Sequence, residues 1–227
     1  MIKTEFKKLG SVSLREQALG AIRSKIVLGE LIPGHVYSAP SLASQMGVSP
    51  TPVREAFLDL VKEGLIEQVR NKGFRVIELS DQDLNEIFQL RLLLEAPPFR
   101  NIAGHLNEDV MSQLTVDLET MEKCLESGDL TAYLETDRRF HLTLLEQFGN
   151  HRLVEIVDRF REQTRLYGLG KLVQSGNMVE TNNEHRKIFQ AVVDGDGVLA
   201  ERLMKRHLGH TRGMWAGLPE RSDPDLA

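Results

Sequence analysis

Cysteine is nearly absent. Cys124 is the only one in 227 residues, so an internal disulfide and any cysteine-based zinc cluster are excluded; its helical spacing among Leu118, Met121 and Leu125 makes it a core thiol. Long apolar runs are missing as well. No stretch approaches the roughly 20 residues of a membrane-spanning helix, and the opening MIKTEFKKLG has no apolar segment of the signal-peptide kind. The expected compartment is therefore cytoplasmic, with no membrane partner. A strong charge of one sign is lacking too, since the net is only −5. That figure hides an asymmetry. Residues 1–80 hold 11 Lys and Arg against 8 Asp and Glu, leaving 17 against 25 for the rest. A mildly basic head on an acidic body suits a head that binds nucleic acid, although the excess is too small to decide it.

What is present is ordinary for a globular chain: 41% hydrophobic and 27% charged residues, enough to bury a core in a small domain and a medium one. Residues 1–79 read as the first domain and 80–216 as the second. Residues 217–227, with two prolines and mixed charges, read as a frayed tail.

In the head, Ser13 and Glu16 form a capping box ahead of Leu14, Ala18, Ile22 and Ile26 at helical spacing, and that helix stops at Gly29. Leu31-Ile32-Pro33-Gly34 is a turn. A short helix from about Ser41 to Met46 follows, and another begins after Ser49, where Pro50 and Pro52 fall in a first turn that needs no amide hydrogens. Two short helices around a glycine turn make a helix-turn-helix. Ile66–Val69 and Phe74–Leu79, joined by Arg70-Asn71-Lys72-Gly73, predict a two-stranded wing with a basic tip at Arg70, Lys72 and Arg75, suited to phosphates or the minor groove. Singly, each of these cations is an ordinary surface charge; set behind a helix-turn-helix, they read as DNA contacts.

The run Leu28-Gly29-Glu30-Leu31-Ile32-Pro33-Gly34, then Leu42-Ala43, Gly47-Val48-Ser49, Thr51-Pro52-Val53-Arg54-Glu55-Ala56, Leu60, Glu63-Gly64-Leu65 and Gly73, resembles the winged-helix head of the GntR superfamily. The resemblance implies that Ser49, Thr51 and Arg54 contact a double-stranded, palindromic operator and that Gly73 lets the wing tip approach the minor groove. Pro50 stands where such heads usually carry Arg. A major-groove Arg bidentate to guanine is worth about 1–3 kcal/mol of discrimination, so Arg54 becomes the leading base-reading candidate, with a phosphate contact as its alternative.

The body is helical throughout. Ser80 with Asp83 caps a helix carrying Leu84, Ile87, Phe88, Arg91, Leu94 and Glu95, which Pro97 and Pro98 are expected to kink or break. Further helices are predicted over Val110–Glu126, Leu130–Phe148, from Asn150 to a stop at Gly168 and Gly170, Met178–Val193 and Val198–Trp215. The fold class is mainly α: an N-terminal winged helix-turn-helix followed by an all-α antiparallel helical bundle.

Asp137 and His141 lie four residues apart on one helix face, where one metal ion can reach both, although such a pair is more commonly a hydrogen-bonded surface pair. His185 and His207 sit mid-helix further on and could join them. His210 competes with His207, while His35, His105 and His151 fall near helix ends. Spacing alone does not bring these residues together.

Arg91 with Glu95, Asp137-Arg138-Arg139-Phe140-His141, Gly149-Asn150 with Leu153, Glu184-His185 with Ile188, Gly195-Asp196 with Ala200, and His207-Leu208 resemble the helical effector (FCD) domain of the FadR-type branch of GntR regulators. That resemblance implies a metal site of Asp137, His141, His185 and His207. Three imidazoles and a carboxylate suit Zn²⁺ or Ni²⁺, with Mn²⁺ as a further option. A small organic acid replacing metal-bound water is the expected effector, with Arg91 and Asn150 as its protein contacts; Arg91 could instead be held in an intrahelical salt bridge to Glu95. The function expected is that of a homodimeric, ligand-responsive transcription regulator, a repressor and not an enzyme. The alternatives are a metal-dependent hydrolase or lyase fused to a DNA-binding head, or a metal that only staples the bundle.

Overall fold

The structure is a computed structural model and describes residues 13–175 and 178–216; the tail from Gly217 lies outside them. The chain divides into two compact units, the first ending at Ile77 and the second running from Glu78.

In the first unit, α1 (Leu14–Val27) starts at the expected capping box, with the Glu16 amide donating to Ser13 Oγ and the Ser13 amide to Glu16 Oε2. Helix α2 (Ala39–Met46) begins two residues earlier than expected, because the Ser38 hydroxyl accepts from the Ser41 amide and Pro40 fits the first turn. Helix α3 (Pro50–Lys62) buries Val53, Ala56, Phe57 and Leu60, and Phe57 stacks on Phe74 with ring centroids 4.5 Å apart. The wing, β2 (Ile66–Val69) and β3 (Gly73–Val76), gains a third strand that the periodicity did not show. This is β1 (Val36–Tyr37), antiparallel to β3 in the order β1-β3-β2. Two residues are too few to carry an alternating pattern.

Gly73 accordingly has a structural duty. Its φ is +132°, and a Cβ there would stand 2.3 Å from the Tyr37 carbonyl oxygen, so only glycine lets β1 and β3 pair this closely.

The second unit is a bundle of α4 (Asp81–Ile102), α5 (Glu108–Ser127), α6 (Leu130–Glu146), α7 (His151–Ser175), α8 (Met178–Val193) and α9 (Gly197–Ala216). Its core is built from Phe99, Leu114, Met121, Phe140, Leu144, Val157, Ile188 and Met204. Helix starts follow their caps: Ser80 with Asp83, Asn107 to the Val110 amide, and Asp129 to the Ala132 amide. Two expected interruptions do not occur. Helix α4 runs unbroken through Pro97 and Pro98, because Ala96, Pro98, Phe99 and Ile102 are buried on both sides of the missing amide hydrogens and packing holds the helix across the defect. Helix α7 continues through Gly168 and Gly170 to Ser175; a glycine weakens a helix by about 1 kcal/mol relative to Ala without obliging it to stop. Helix α9 starts hard against α4, since a Cβ on Gly197 would lie 2.4 Å from the Arg100 carbonyl oxygen.

Candidate metal centre and nucleic-acid interface

Helix α6 places Asp137 and His141 on one face, α8 contributes His185 and α9 contributes His207. The four residues converge: one ligand atom from each lies within 4.8 Å of all the others. His141 Nε2 is 3.1 Å from His185 Nε2, and Asp137 Oδ1 is 3.2 Å from His185 Nε2 and 3.8 Å from His141 Nε2. Two ligands held by one zinc ion at bonds of about 2.0–2.1 Å sit roughly 3.0–3.4 Å apart; the two contacts of His185 Nε2 fall in that range, and the 3.8 Å between Asp137 and His141 is somewhat wider. His141 and His185 are fully buried, while the Asp137 side chain keeps 19% of its exposure, which leaves the cluster an opening.

The electrostatics favour metal-binding protonation states. Burial, the Arg161 charge and the neighbouring histidines push His141 well below the ordinary imidazole value, and burial with His185 takes His207 down to about 4. Both rings therefore present lone pairs at neutral pH. Burial opposes ionisation of Asp137, but the bond to His185 and the charges of His185, Arg161 and His207 outweigh it and hold the carboxyl well below the usual range. The chemistry of the set, one carboxylate and three buried imidazoles converging on one spot, is that of a divalent-cation site.

A second layer surrounds the four. Arg161 of α7 donates through Nη1 to Asp137 Oδ2 at 3.3 Å and through Nε to Glu95 Oε2 at 3.0 Å, and its Nη2 is ion-paired 2.8 Å from that same Glu95 oxygen. Arg91 donates to Glu95 and to Thr164 Oγ1, the latter at 3.3 Å. Arg91 is thus held in the intrahelical pair with Glu95, and both are buried. Burial opposes the charge on Glu95, yet Arg161 and Arg91 keep it ionised. Glu184 accepts from His207 Nδ1 at 3.0 Å and from His210 Nδ1 at 2.5 Å. His210 therefore stands behind His207 on the far side of a carboxylate and is not a member of the cluster.

Asn150 does not join it either: its side chain is exposed and accepts from the Leu153 amide at 3.2 Å, capping α7. His105 and His35 turn their Nδ1 atoms to local backbone carbonyls, and His151 is exposed. The sequence reading missed Arg161, Glu184 and Thr164 as neighbours of the site. For Arg161 a signal existed, because it shares a helical stripe with Val154, Val157 and Thr164, and an Arg on a buried stripe needs a buried anion.

In the first unit, Ser49, Thr51 and Arg54 are exposed at the start of α3, and Ser49 spends no side-chain bond on capping the helix. Arg70 and Lys72 are exposed at the wing tip, whereas Arg75 is drawn into a pair with Glu67 at 3.0 Å. Gly73 is half-buried beneath that tip. Towards the other end of α3, Arg15 binds Asp59 at 2.5 Å and Arg23 binds Glu63 at 2.7 Å, tying α1 to α3. Among the described residues no helix is long and apolar enough to cross a membrane.

Comparison with known proteins agrees with both halves. Residues 14–76 match the family described as bacterial regulatory proteins, gntR family, and residues 86–210 match the FCD domain. The HTH-type transcriptional repressor GlaR of Escherichia coli is 28% identical over 196 residues, covering 82% of this chain and 89% of its own length. The HTH-type transcriptional repressor RspR of the same organism is 27% identical over 199 residues, covering 86% of each. Among solved structures, E. coli McbR/YncC superposes with a TM-score of 0.76 at 24% identity, over 91% of this chain and 99% of that one, a likeness of fold. The chain belongs to the gntR family of bacterial regulatory proteins, and is a DNA-binding transcription regulator carrying an FCD domain, not an enzyme.

Proposed function

We propose that this regulator is a homodimeric repressor whose FCD domain holds one divalent metal ion, Zn²⁺ or Ni²⁺ foremost and Mn²⁺ as a further option, and releases its operator when a small carboxylate binds there. The observation that carries this reading is the convergence of Asp137 with the buried His141, His185 and His207. The ion would be held by these four side chains and would present an electrophilic position to an anion.

Charge supports an acidic effector. Arg91 and Arg161 are matched by Glu95 and Asp137, so a divalent ion adds positive charge that an anion offsets. Polar groups near the ligands also lack partners. Tyr133, one turn before Asp137 on the same helix, has a buried hydroxyl with no hydrogen-bond partner, and so has the Asn182 Oδ1 atom, three residues before His185. An effector bearing hydroxyl or amino groups beside its carboxylate would satisfy them. Arg91 can contribute only by sharing itself with Glu95.

A route to the head follows from connectivity. The Asp137–Arg161–Glu95 chain joins α6 to α7 and α4, and α4 follows the wing directly through residues 77–80. An acid that draws on Asp137 or Arg161 would shift α4, and allostery results if its affinity differs between the two positions. In a dimer, two copies of α3 about 34–36 Å apart would read a palindrome of one turn. Gel shifts with DNA upstream of the chain's own gene test the proposal. Salt-sensitive retardation weakened by a carboxylate in the presence of metal supports it, and retardation indifferent to every carboxylate and to metal removal contradicts the sensing half. The carboxylate-free metal staple predicts stabilisation by metal and none by acids.

A further inference from the structure

We propose that Glu184 is a positioning residue of the metal centre: it orients His207 so that Nε2 is presented to the ion. The inference rests on the metal-site reading above and adds a residue to it. Glu184 and His185 are consecutive on α8, so their side chains leave the helix about 100° apart. His185 enters the cluster while Glu184 reaches across to α9. There its two oxygens are divided between two histidines one turn apart, Oε2 taking His207 Nδ1 at 3.0 Å and Oε1 taking His210 Nδ1 at 2.5 Å.

A carboxylate only accepts, so His207 Nδ1 must carry the hydrogen and its lone pair is left on Nε2. The reverse tautomer would set two acceptors 3.0 Å apart in a buried place. The other two imidazoles have no such partner on the outer nitrogen: the Nδ1 atoms of His141 and His185 are buried without a hydrogen-bond partner. His207 is therefore the one of the three whose outer nitrogen a carboxylate holds. Glu184 is itself buried and is held from outside by His210, with the Arg206 guanidinium 4.0 Å away. The arrangement is the carboxylate–histidine–metal triad in which an outer carboxylate raises the basicity of the ligand.

The test is competition for Zn²⁺ between the chelator-stripped full chain and a chromogenic chelator, for wild type, Glu184→Gln and the control Glu122→Gln, with metal-free melting temperatures recorded for each. Glu122 binds Arg186 on the surface and lies outside the cluster. Expected are one Zn²⁺ per chain for wild type and control, and roughly 10–100-fold weaker binding for Glu184→Gln, the usual size of an outer-carboxylate loss. X-ray absorption should count three imidazoles on the ion in wild type and two in the variant at saturation. If Glu184→Gln lowers the metal-free melting temperature but keeps wild-type Zn²⁺ affinity, Glu184 is merely structural and the inference is overturned. If wild type itself takes up no Zn²⁺, the metal reading fails first and this inference with it. Should Glu184→Gln not fold, Glu184→Asp, which keeps the charge but shortens the reach, carries the same comparison: weaker binding than the control supports positioning, and equal binding overturns it.

Discussion

At the residue scale, the site turns on protonation states that the fold imposes. An imidazole in an unfolded chain takes up its proton near pH 6.5, whereas His207 does so only at about 4 and His141 is lowered in the same direction. Between these values the unfolded state binds more protons than the native one. The stability that these two imidazoles contribute to the metal-free protein is therefore fully present above about pH 6.5 and is lost as the pH falls towards 4. Urea denaturation of chelated protein from pH 8 to 4 should show that fall beginning near 6.5; a midpoint unchanged between pH 7 and 5 would show that the imidazoles are not buried neutral. Metal-bound protein should resist acid further, because the ion competes with protons for the same lone pairs. In the head, Arg54→Ala should cost about 1–3 kcal/mol of operator binding and relax specificity at one position if Arg54 reads a base, whereas Lys72→Ala should lower the salt slope by about one with no change in sequence preference. Equal losses on operator and random DNA for Arg54→Ala would reassign it to a phosphate.

At the element scale, helix starts were legible and some stops were not. Ser13 with Glu16, Ser80 with Asp83, Asn107 and Asp129 announce their helices because capping is a local hydrogen bond between near neighbours in sequence. The ends depend on packing that local sequence does not contain. Pro97 and Pro98 sit inside α4, and Gly168 and Gly170 inside α7, because tertiary burial outweighs their local preference. Likewise the Asp137–His141 spacing was readable from one helix, but the approach of His185 and His207 is a property of three helices packed together; the stripe of α7 hinted at a buried Arg161, while its partners and the contact of Glu184 with His207 come from packing alone. Exposed Pro97 offers a test. Restoring its amide with Pro97→Ala should stabilise the second unit, by less than the roughly 3 kcal/mol that separates proline from alanine in an unadapted helix; a loss of stability in chemical denaturation would mean that α4 depends on the proline ring. Gly197→Ala should cost about 1–3 kcal/mol by forcing α9 off α4, and an unchanged midpoint would show that the contact yields freely.

At the scale of the whole molecule, the two units divide the work by charge and by burial. The head exposes Ser49, Thr51, Arg54, Arg70 and Lys72 on a three-helix support, while the acidic body buries its histidine cluster in the bundle. If the bundle senses an acid as proposed, the signal would need a part that belongs to the bundle and continues into the head, and connectivity makes α4 the candidate: it holds Glu95 against Arg161 and follows the wing through residues 77–80. Breaking the chain with Glu95→Gln should therefore leave metal uptake measurable while blunting any carboxylate-induced loss of DNA affinity. A full carboxylate response in that variant, read by fluorescence anisotropy, would place the coupling elsewhere. The central claim is tested most directly by native mass spectrometry of the full chain after Zn²⁺ loading and desalting, wild type against Asp137→Asn. The account predicts one zinc ion per chain in wild type and none retained by the variant; a wild-type protein that retains no metal, or a variant that retains as much, would contradict it.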